Sequence, residues 1–278
     1  MKAMVFAAGL GTRLKPITDS MPKALVPVCG KPLLYHVLCK LRDAGYDDIV
    51  VNVHHFPEQI RDYLQQNDFG VRIAISDESA LLRETGGAIR FARPLLESSV
   101  WDGAVGSRAD EGSKGLSQSI SPLRALSAPE RPQSFLVHNV DIISNLDLEW
   151  FRSKMRPDAL ATLLVSERNT QRYLLFTDDM RLVGWTNIAT GEVRSPYPGL
   201  KPEGCRRYAF AGIHNISTGL FKVFDEYGCP ERFPIMDFYL KACAEYPIYG
   251  AVPENLTIID VGKLDTLAEA ERICYGIL

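Results

Sequence analysis

An apolar run at the N-terminus, Ala3 to Ala8, breaks into Gly9-Leu10-Gly11-Thr12-Arg13, and Pro22-Lys23 follows within about one loop length. The run reads as a buried first strand. A glycine-rich turn off such a strand offers bare backbone N–H groups to an anion, because no Cβ blocks the approach. Arg13 adds a planar, permanently charged fork suited to phosphate, and Lys23 adds a point charge. A chain that opens this way is expected to build an α/β sheet with a polyphosphate site at the end of its first strand.

Two other glycine motifs are excluded by spacing. A dinucleotide fingerprint needs a third glycine where Leu14 stands, and an acidic residue at the end of the second strand, where the chain reads Asn52-Val53-His54. A P-loop needs Gly-Lys-Ser/Thr at a helix start, and none occurs here.

Strand and helix patterns then alternate. Residues 31–44 carry apolar residues at Leu33, Leu34, Val37, Leu38 and Leu41, which is helical spacing, with Pro32 in the first turn and Gly45 as the stop. The pattern continues with a strand over 49–53, a helix over 57–66, a strand over 71–75, a helix over 86–93 and a strand resuming at 135–137. Repeated βα units predict an α/β fold: a doubly wound, mixed, mostly parallel sheet with ligands at the strands' C-terminal ends. The turns at Gly9–Arg13, Asn52–His55, Ser76–Thr85 and Asn139–Asp141 should converge on one edge. Residues 98–134, rich in Ser and Gly with three prolines, read as an inserted, mobile surface loop. The second half predicts a hairpin turning at Asp178-Asp179-Met180, an apolar strand over 208–216 and a closing helix over 264–273. The whole is expected to be one domain. Residues 1–145 form a nucleotide-binding lobe in this reading, and residues 146–278 a sugar-side lobe carrying the small β-hairpin.

A net charge of −3 gives no reason to expect nucleic-acid binding. No run of 18 apolar residues predicts a membrane span, and Met1-Lys2 runs straight into the strand without a signal-peptide pattern. The six cysteines are dispersed, with no C-x-x-C pair, and read as reduced packing residues in the cytoplasm.

The blocks Ala7–Leu14, Pro22–Val28 and Gly30-Lys31-Pro32-Leu33 resemble the signature of the sugar-1-phosphate nucleotidyltransferases, or nucleotide-sugar pyrophosphorylases. Similarity continues at Glu84-Thr85-Gly86-Gly87, Asn139-Val140-Asp141, Phe210-Ala211-Gly212-Ile213, Asp260-Val261-Gly262 and Leu267–Glu271, and so spans nearly the whole chain. The pattern is closest to the short branch containing N-acetylmuramate 1-phosphate uridylyltransferase; mannose-1-phosphate guanylyltransferase-like proteins share much of it. The resemblance implies a Rossmann-like nucleotidyltransferase fold, similar to the GT-A type. It also implies a Mg²⁺-dependent reaction joining a nucleoside triphosphate to a sugar 1-phosphate with release of pyrophosphate. Arg13 and Lys23 would be catalytic. Ala8, Gly9, Gly11, Thr12, Glu84, Thr85 and Gly86 would join them in binding the nucleotide, Asn139 and Gly212 would meet the sugar, and Asp141 and Asp260 would hold the metal. UTP with N-acetylmuramate 1-phosphate, in cell-wall sugar recycling, is the first expectation. Mannose or heptose phosphate with GTP is the second, and a catalytically silent nucleotide-sugar sensor is the alternative of another class. A monomer or small homo-oligomer is expected.

The chain departs from the pattern in three places, one of them Ile258-Ile259 before the second aspartate, where a Trp is frequent. Val140 stands where Gly often precedes the first aspartate. No Glu-Lys-Pro lysine occurs; the equivalent stretch reads Leu182-Val183-Gly184-Trp185-Thr186, with Lys201 and Lys222 as substitutes. His54-His55 reads as a loop beside the nucleotide, and Asp77-Glu78 as a solvated loop.

Overall fold

The first strand, β1 (Lys2–Phe6), sits in the middle of the sheet rather than at its edge. The computed structural model describes residues 1–97 and 133–273. After β1 come the short β2 (Pro27–Val28) and β3 (Lys31–Pro32), α1 (Leu33–Asp43), β4 (Asp48–Val53), α2 (Pro57–Gln66) and β5 (Arg72–Asp77). Helices α3 (Glu84–Phe91) and α4 (Arg93–Glu97) close the first stretch. The chain continues with β6 (Ser134–Asn139), β7 (Ile142–Ser144), α5 (Leu148–Ser153), β8 (Ala161–Ser166), β9 (Arg172–Phe176), β10 (Leu182–Asn187) and β11 (Glu192–Arg194). It ends with β12 (Arg206–Ser217), α6 (Leu220–Glu226), α7 (Ile235–Ala242), β13 (Ile248–Ala251), β14 (Ile258–Asp260) and α8 (Leu264–Ile273).

Ten strands form one mixed sheet in the order β11-β10-β9-β12-β6-β1-β4-β5, with β8 on β12 and β13 on β8. Strands β6, β1, β4 and β5 are mutually parallel, as the βα alternation predicts. All six residues of β4 are buried, and a strand covered on both faces reads as a continuous apolar run. The five apolar residues of α1 face one core layer with Ala3 and Val5, while Met4 and Val50 point into the layer on the other face with α6 and α7. The predicted hairpin forms: β9 and β10 pair antiparallel, with Met180 at φ 66° in the turn. It extends the main sheet through the β9–β12 pairing.

Several expectations shift. Pro32 precedes α1 as its cap residue instead of lying in the first turn. The helix expected from Gly86 starts at Glu84 and breaks at Ala92. Strand β7 and helix α5 were not foreseen; Asp147 caps α5 by accepting from Glu149 and Trp150 N–H. The expected loop over 98–134 lies outside the described residues except at 133 and 134, where Ser134 already opens β6. Cys39, Cys205, Cys229 and Cys243 are free thiols. Cys29 is disulfide-bonded, which overturns for that residue the reading of reduced packing cysteines.

Candidate active site

The C-terminal ends of β1, β4, β5 and β6 surround a cleft of about 420 Å³. The predicted residues Ala8, Gly9, Lys23, Asn139 and Asp141 line it, and Glu84 and Thr85 close the opposite side. The four turns expected to converge do so here.

The first turn is held by a polar relay. Asn52, at the end of the wholly buried β4, accepts hydrogen bonds from the N–H of Ala7 (2.7 Å) and Ala8 (3.3 Å) through Oδ1. Its Nδ2 donates to Glu78 Oε1 at 2.7 Å, and Glu78 Oε2 accepts from Arg83 N–H at 3.0 Å. Glu78 is 1% exposed, which corrects the reading of Asp77-Glu78 as a solvated loop. Burial pushes the Glu78 carboxyl above its usual range, while the Asn52 and Arg83 hydrogen bonds oppose the rise. Asp77 is exposed as expected, accepting from Ser79 and paired with Arg61. Neither Asn52 nor Glu78 stood out as a site residue in the sequence. The available signal was one amide in an otherwise apolar strand.

The two glycines of the turn serve different needs. Gly11 has φ 64°, and a Cβ there would lie 2.7 Å from Thr18 Cγ2. It starts the tight turn Thr12–Leu14 and is fixed by Leu14 N–H and Thr18 Oγ1, both donating to its carbonyl. A Cβ on Gly9 would meet nothing within 4 Å. Thr12 and Arg13 are exposed. His54 bonds to the Glu78 carbonyl (2.7 Å) and His55 to the Thr18 carbonyl (3.2 Å), so both rings tie loops beside the cleft.

A charge cluster occupies the cleft's mouth. Lys23, nearly buried, forms an ion pair with Asp141. Asp141 is placed by backbone on both sides: Val140 N–H bonds to the Phe6 carbonyl, and the Asp141 carbonyl accepts from Val261 N–H at 2.8 Å. That bond brings β14 and Asp260 beside it. Asp260 Oδ1 is buried and makes no hydrogen bond. Burial and then the Asp141 charge raise the Asp260 carboxyl, while Lys23, Arg13 and Arg168 pull it back. A Cβ on Gly262 would lie 2.7 Å from Asp260 Oδ1 and 2.8 Å from Arg13 Nη2, so that position admits only glycine while both groups stay in place. Residues 13, 23, 141 and 260, far apart in sequence, therefore meet. Val140 is buried in the core and leaves the aspartate in position.

Asn139 and Gly212 also meet. Gly212 has φ 77°, and a Cβ there would stand 2.9 Å from Asn139 Nδ2. Gly86 is placed differently. It packs under Phe233, whose ring would lie 2.3 Å from a Cβ, and its N–H donates to the Phe233 carbonyl. Thr85 lies inside α3 and accepts from Ile235 N–H at 2.9 Å, so it docks the 231–235 segment. Glu84, with φ 61°, is held in the left-handed region and accepts from Arg232 Nε at 3.1 Å. Backbone strain of this kind gathers at functional clefts.

Among the described residues, no group of three or more His, Cys, Asp and Glu could hold a metal ion. Asp141 and Asp260 are the carboxylate pair facing the cluster. No helix among these residues is long and apolar enough to cross a membrane.

Residues 2–101 match the family model described as nucleotidyl transferase. The N-acetylmuramate alpha-1-phosphate uridylyltransferase of Neisseria meningitidis serogroup B is 48% identical over 97 residues, 34% of this chain and 42% of the relative. A mannose-1-phosphate guanyltransferase of Candida glabrata is 38% identical over 99 residues, 35% of this chain and 27% of the relative. The matched part thus spans less than half the length of these curated relatives. In three dimensions the likeness covers nearly everything. HddC from Yersinia pseudotuberculosis superposes with a TM-score of 0.67 at 21% identity over 98% of both chains, and it has also been solved with GMP-PN. A putative glucose-1-phosphate thymidylyltransferase from Bacillus anthracis gives a TM-score of 0.70 at 17% identity, over 100% of this chain and 96% of that one. Residues 2–101 of the chain therefore match the nucleotidyl transferase family model, on a fold that the chain shares with HddC over nearly its whole length.

Proposed function

We propose that the chain transfers a nucleotidyl group from a nucleoside triphosphate to a sugar 1-phosphate, releasing pyrophosphate. The observation that carries this reading is the meeting of Arg13, Lys23, Asp141 and Asp260 at the mouth of a cleft built on the glycine turn. Every reacting group is anionic, so the work lies in charge neutralisation and alignment. The chain divides the labour in this reading: residues 1–145 bind the nucleotide and residues 146–278 the sugar phosphate, within one domain.

The donor set fits Mg²⁺. This ion takes one or two carboxylates and completes its shell with water and substrate phosphate, and the buried, unpartnered Asp260 oxygen beside Asp141 is such a donor. Asp141 and Asp260 would hold it; when bound, it neutralises phosphate charge. Lys23 then moves its interaction from Asp141 toward the triphosphate. Arg13 and the Gly9–Gly11 amides take the leaving pyrophosphate. The Ala7 and Ala8 amides are already committed to Asn52, so the donors of the turn lie beyond them. Asn139, packed closely against Gly212, would face the sugar.

The 48% identity over the family region supports UTP and N-acetylmuramate 1-phosphate as the pair, with a place in cytoplasmic cell-wall sugar recycling. The 38% identity to a mannose-1-phosphate guanyltransferase over the same region supports GTP with mannose 1-phosphate, or a related heptose phosphate, as the second reading. A pyrophosphate-release screen of four triphosphates against five sugar 1-phosphates tests both. Turnover with one pair identifies the substrates. Tight binding of a nucleotide sugar without turnover would mean a sensor instead.

A further inference from the structure

A two-residue turn joins β2 to β3: Val28 pairs with Lys31, and Cys29 and Gly30 between them have φ 48° and 73°. Such a turn favours Asn-Gly, because few side chains tolerate the left-handed region. Cys29 therefore holds a place that local backbone chemistry would give to another residue, and a residue kept against that preference points to its side chain. Cys29 is disulfide-bonded, and four of the six cysteines in the sequence are free. The one left is Cys274. We propose that Cys29 and Cys274 form a redox switch. The oxidised bond fastens α8 beside the loop that carries Lys23; reduction releases α8 and loosens the segment that carries Asp260.

Contacts of the described residues support this pairing independently of the cysteine count. Cys29 N–H donates to Glu271 Oε1 at 3.0 Å, and Cys29 Sγ lies 3.8 Å from the Glu271 carbonyl oxygen. Cys274 follows Glu271 by three positions, about one helical turn. Helix α8 lies against β2, and its Ala270 is buried in one core layer with Val26, Val28 and Val261. Both elements adjoin the charge cluster. Val26 N–H bonds to the Lys23 carbonyl just ahead of the hairpin, and β14 ends at Asp260, shortly before α8 begins at Leu264. The bond thus ties the segment after Lys23 to the helix after Asp260. Strands β2 and β3 have two residues each, so the hairpin's own ladder is short. Cys29 is half-buried, which gives a reductant access. In the cytoplasmic setting proposed above, dithiol reductants meet such a bond and make it a switch instead of a permanent staple; that step rests on the transferase reading. A dithiol supplies two electrons and two protons. Its thiolate attacks one sulfur, the S–S bond breaks, both cysteines become thiols and the dithiol becomes a disulfide.

The test uses the full chain. Peptide mapping without reductant should find the Cys29 peptide joined to the Cys274 peptide, and dithiothreitol should separate them. On reduction, amide exchange over residues 258–273 should quicken by about 10-fold or more as that segment opens locally. Triphosphate affinity should fall by about 3- to 10-fold, because the cleft must then be ordered on binding. Oxidised glutathione should restore both. Cys29→Ser should exchange like the reduced parent under all conditions and ignore dithiothreitol. Cys274→Ser leaves the β2–β3 turn intact and should do the same, which separates the lost bond from a damaged turn. Several results would overturn the switch: a Cys29 that stays free or joins another cysteine in oxidised glutathione, a bond that survives excess reduced glutathione, equal exchange in both states, or a measurable triphosphate affinity unchanged by reduction. A parent that binds no triphosphate in either state would count against the transferase reading, and the exchange comparison would still decide the switch.

Discussion

Asn52 joins the first turn to Glu78: its Oδ1 takes the Ala7 and Ala8 amides while its Nδ2 donates to the Glu78 carboxylate at 2.7 Å. All of these groups are buried. Removing the central amide leaves two N–H donors and a carboxylate oxygen without partners. Asn52→Ala should therefore destabilise the fold by about 1–3 kcal/mol, the cost of unsatisfied buried polar groups. Urea denaturation checks the magnitude; a change below about 0.5 kcal/mol would mean that the relay contributes nothing to the turn.

The Lys23–Asp141 pair and Asp260 make a second prediction. Asp141→Asn removes charge with little change in volume and leaves Lys23 without its anion. Turnover should fall by at least about 100-fold, while circular dichroism stays that of the parent. A fall within threefold would remove Asp141 from the metal and phosphate machinery.

Arg13 should act on charge that develops during the reaction. Arg13→Ala is expected to lower the single-turnover rate by on the order of 100-fold, the effect of losing one preorganised donor. Triphosphate affinity should fall less, because Lys23 and the turn amides remain. Equal factors in rate and affinity would reduce Arg13 to ground-state binding.

The glycines separate packing from ligand approach. Gly86→Ala drives a methyl into the Phe233 ring and should cost about 1–3 kcal/mol of stability by overpacking. Gly9→Ala enters open space, so its melting temperature should match the parent's. A lowered triphosphate affinity in Gly9→Ala alone would then report a phosphate that approaches the bare backbone.

Two buried histidines set the acid limit. Burial lowers His138 to about 4 and His214 to about 3. Their folded values lie below the unfolded value of about 6.5, so the unfolded chain binds more protons and the stabilisation is complete only above that value. It drains away as pH falls toward 4 and then 3, with a slope approaching about 1.4 kcal/mol per pH unit for each ring. His214, bonded to the Tyr239 hydroxyl at 2.8 Å, is the cleaner reporter. Stability measured from pH 7 to 4 should decline, and His214→Gln should flatten the decline; an unchanged slope in that variant would show that other groups dominate.

The amino-acid sequence by itself determined the local and repetitive parts of this protein. The apolar run before Gly9 is a strand, the i, i+3, i+4 spacing of Leu33–Leu41 is a helix, and the βα alternation is a parallel sheet, because these patterns depend on neighbours a few residues away. Lys23 and Asp141 were legible as candidates from motifs, and the fold places them together. Tertiary structure decided what depends on distant partners. Asn52 and Glu78 became one relay because parallel pairing set β4 beside β1 and β5. Gly86 leaves no room for a Cβ because Phe233, 147 positions away, lies over it. Spacing along a chain records only contacts between near neighbours, and both of these contacts span elements that the chain separates.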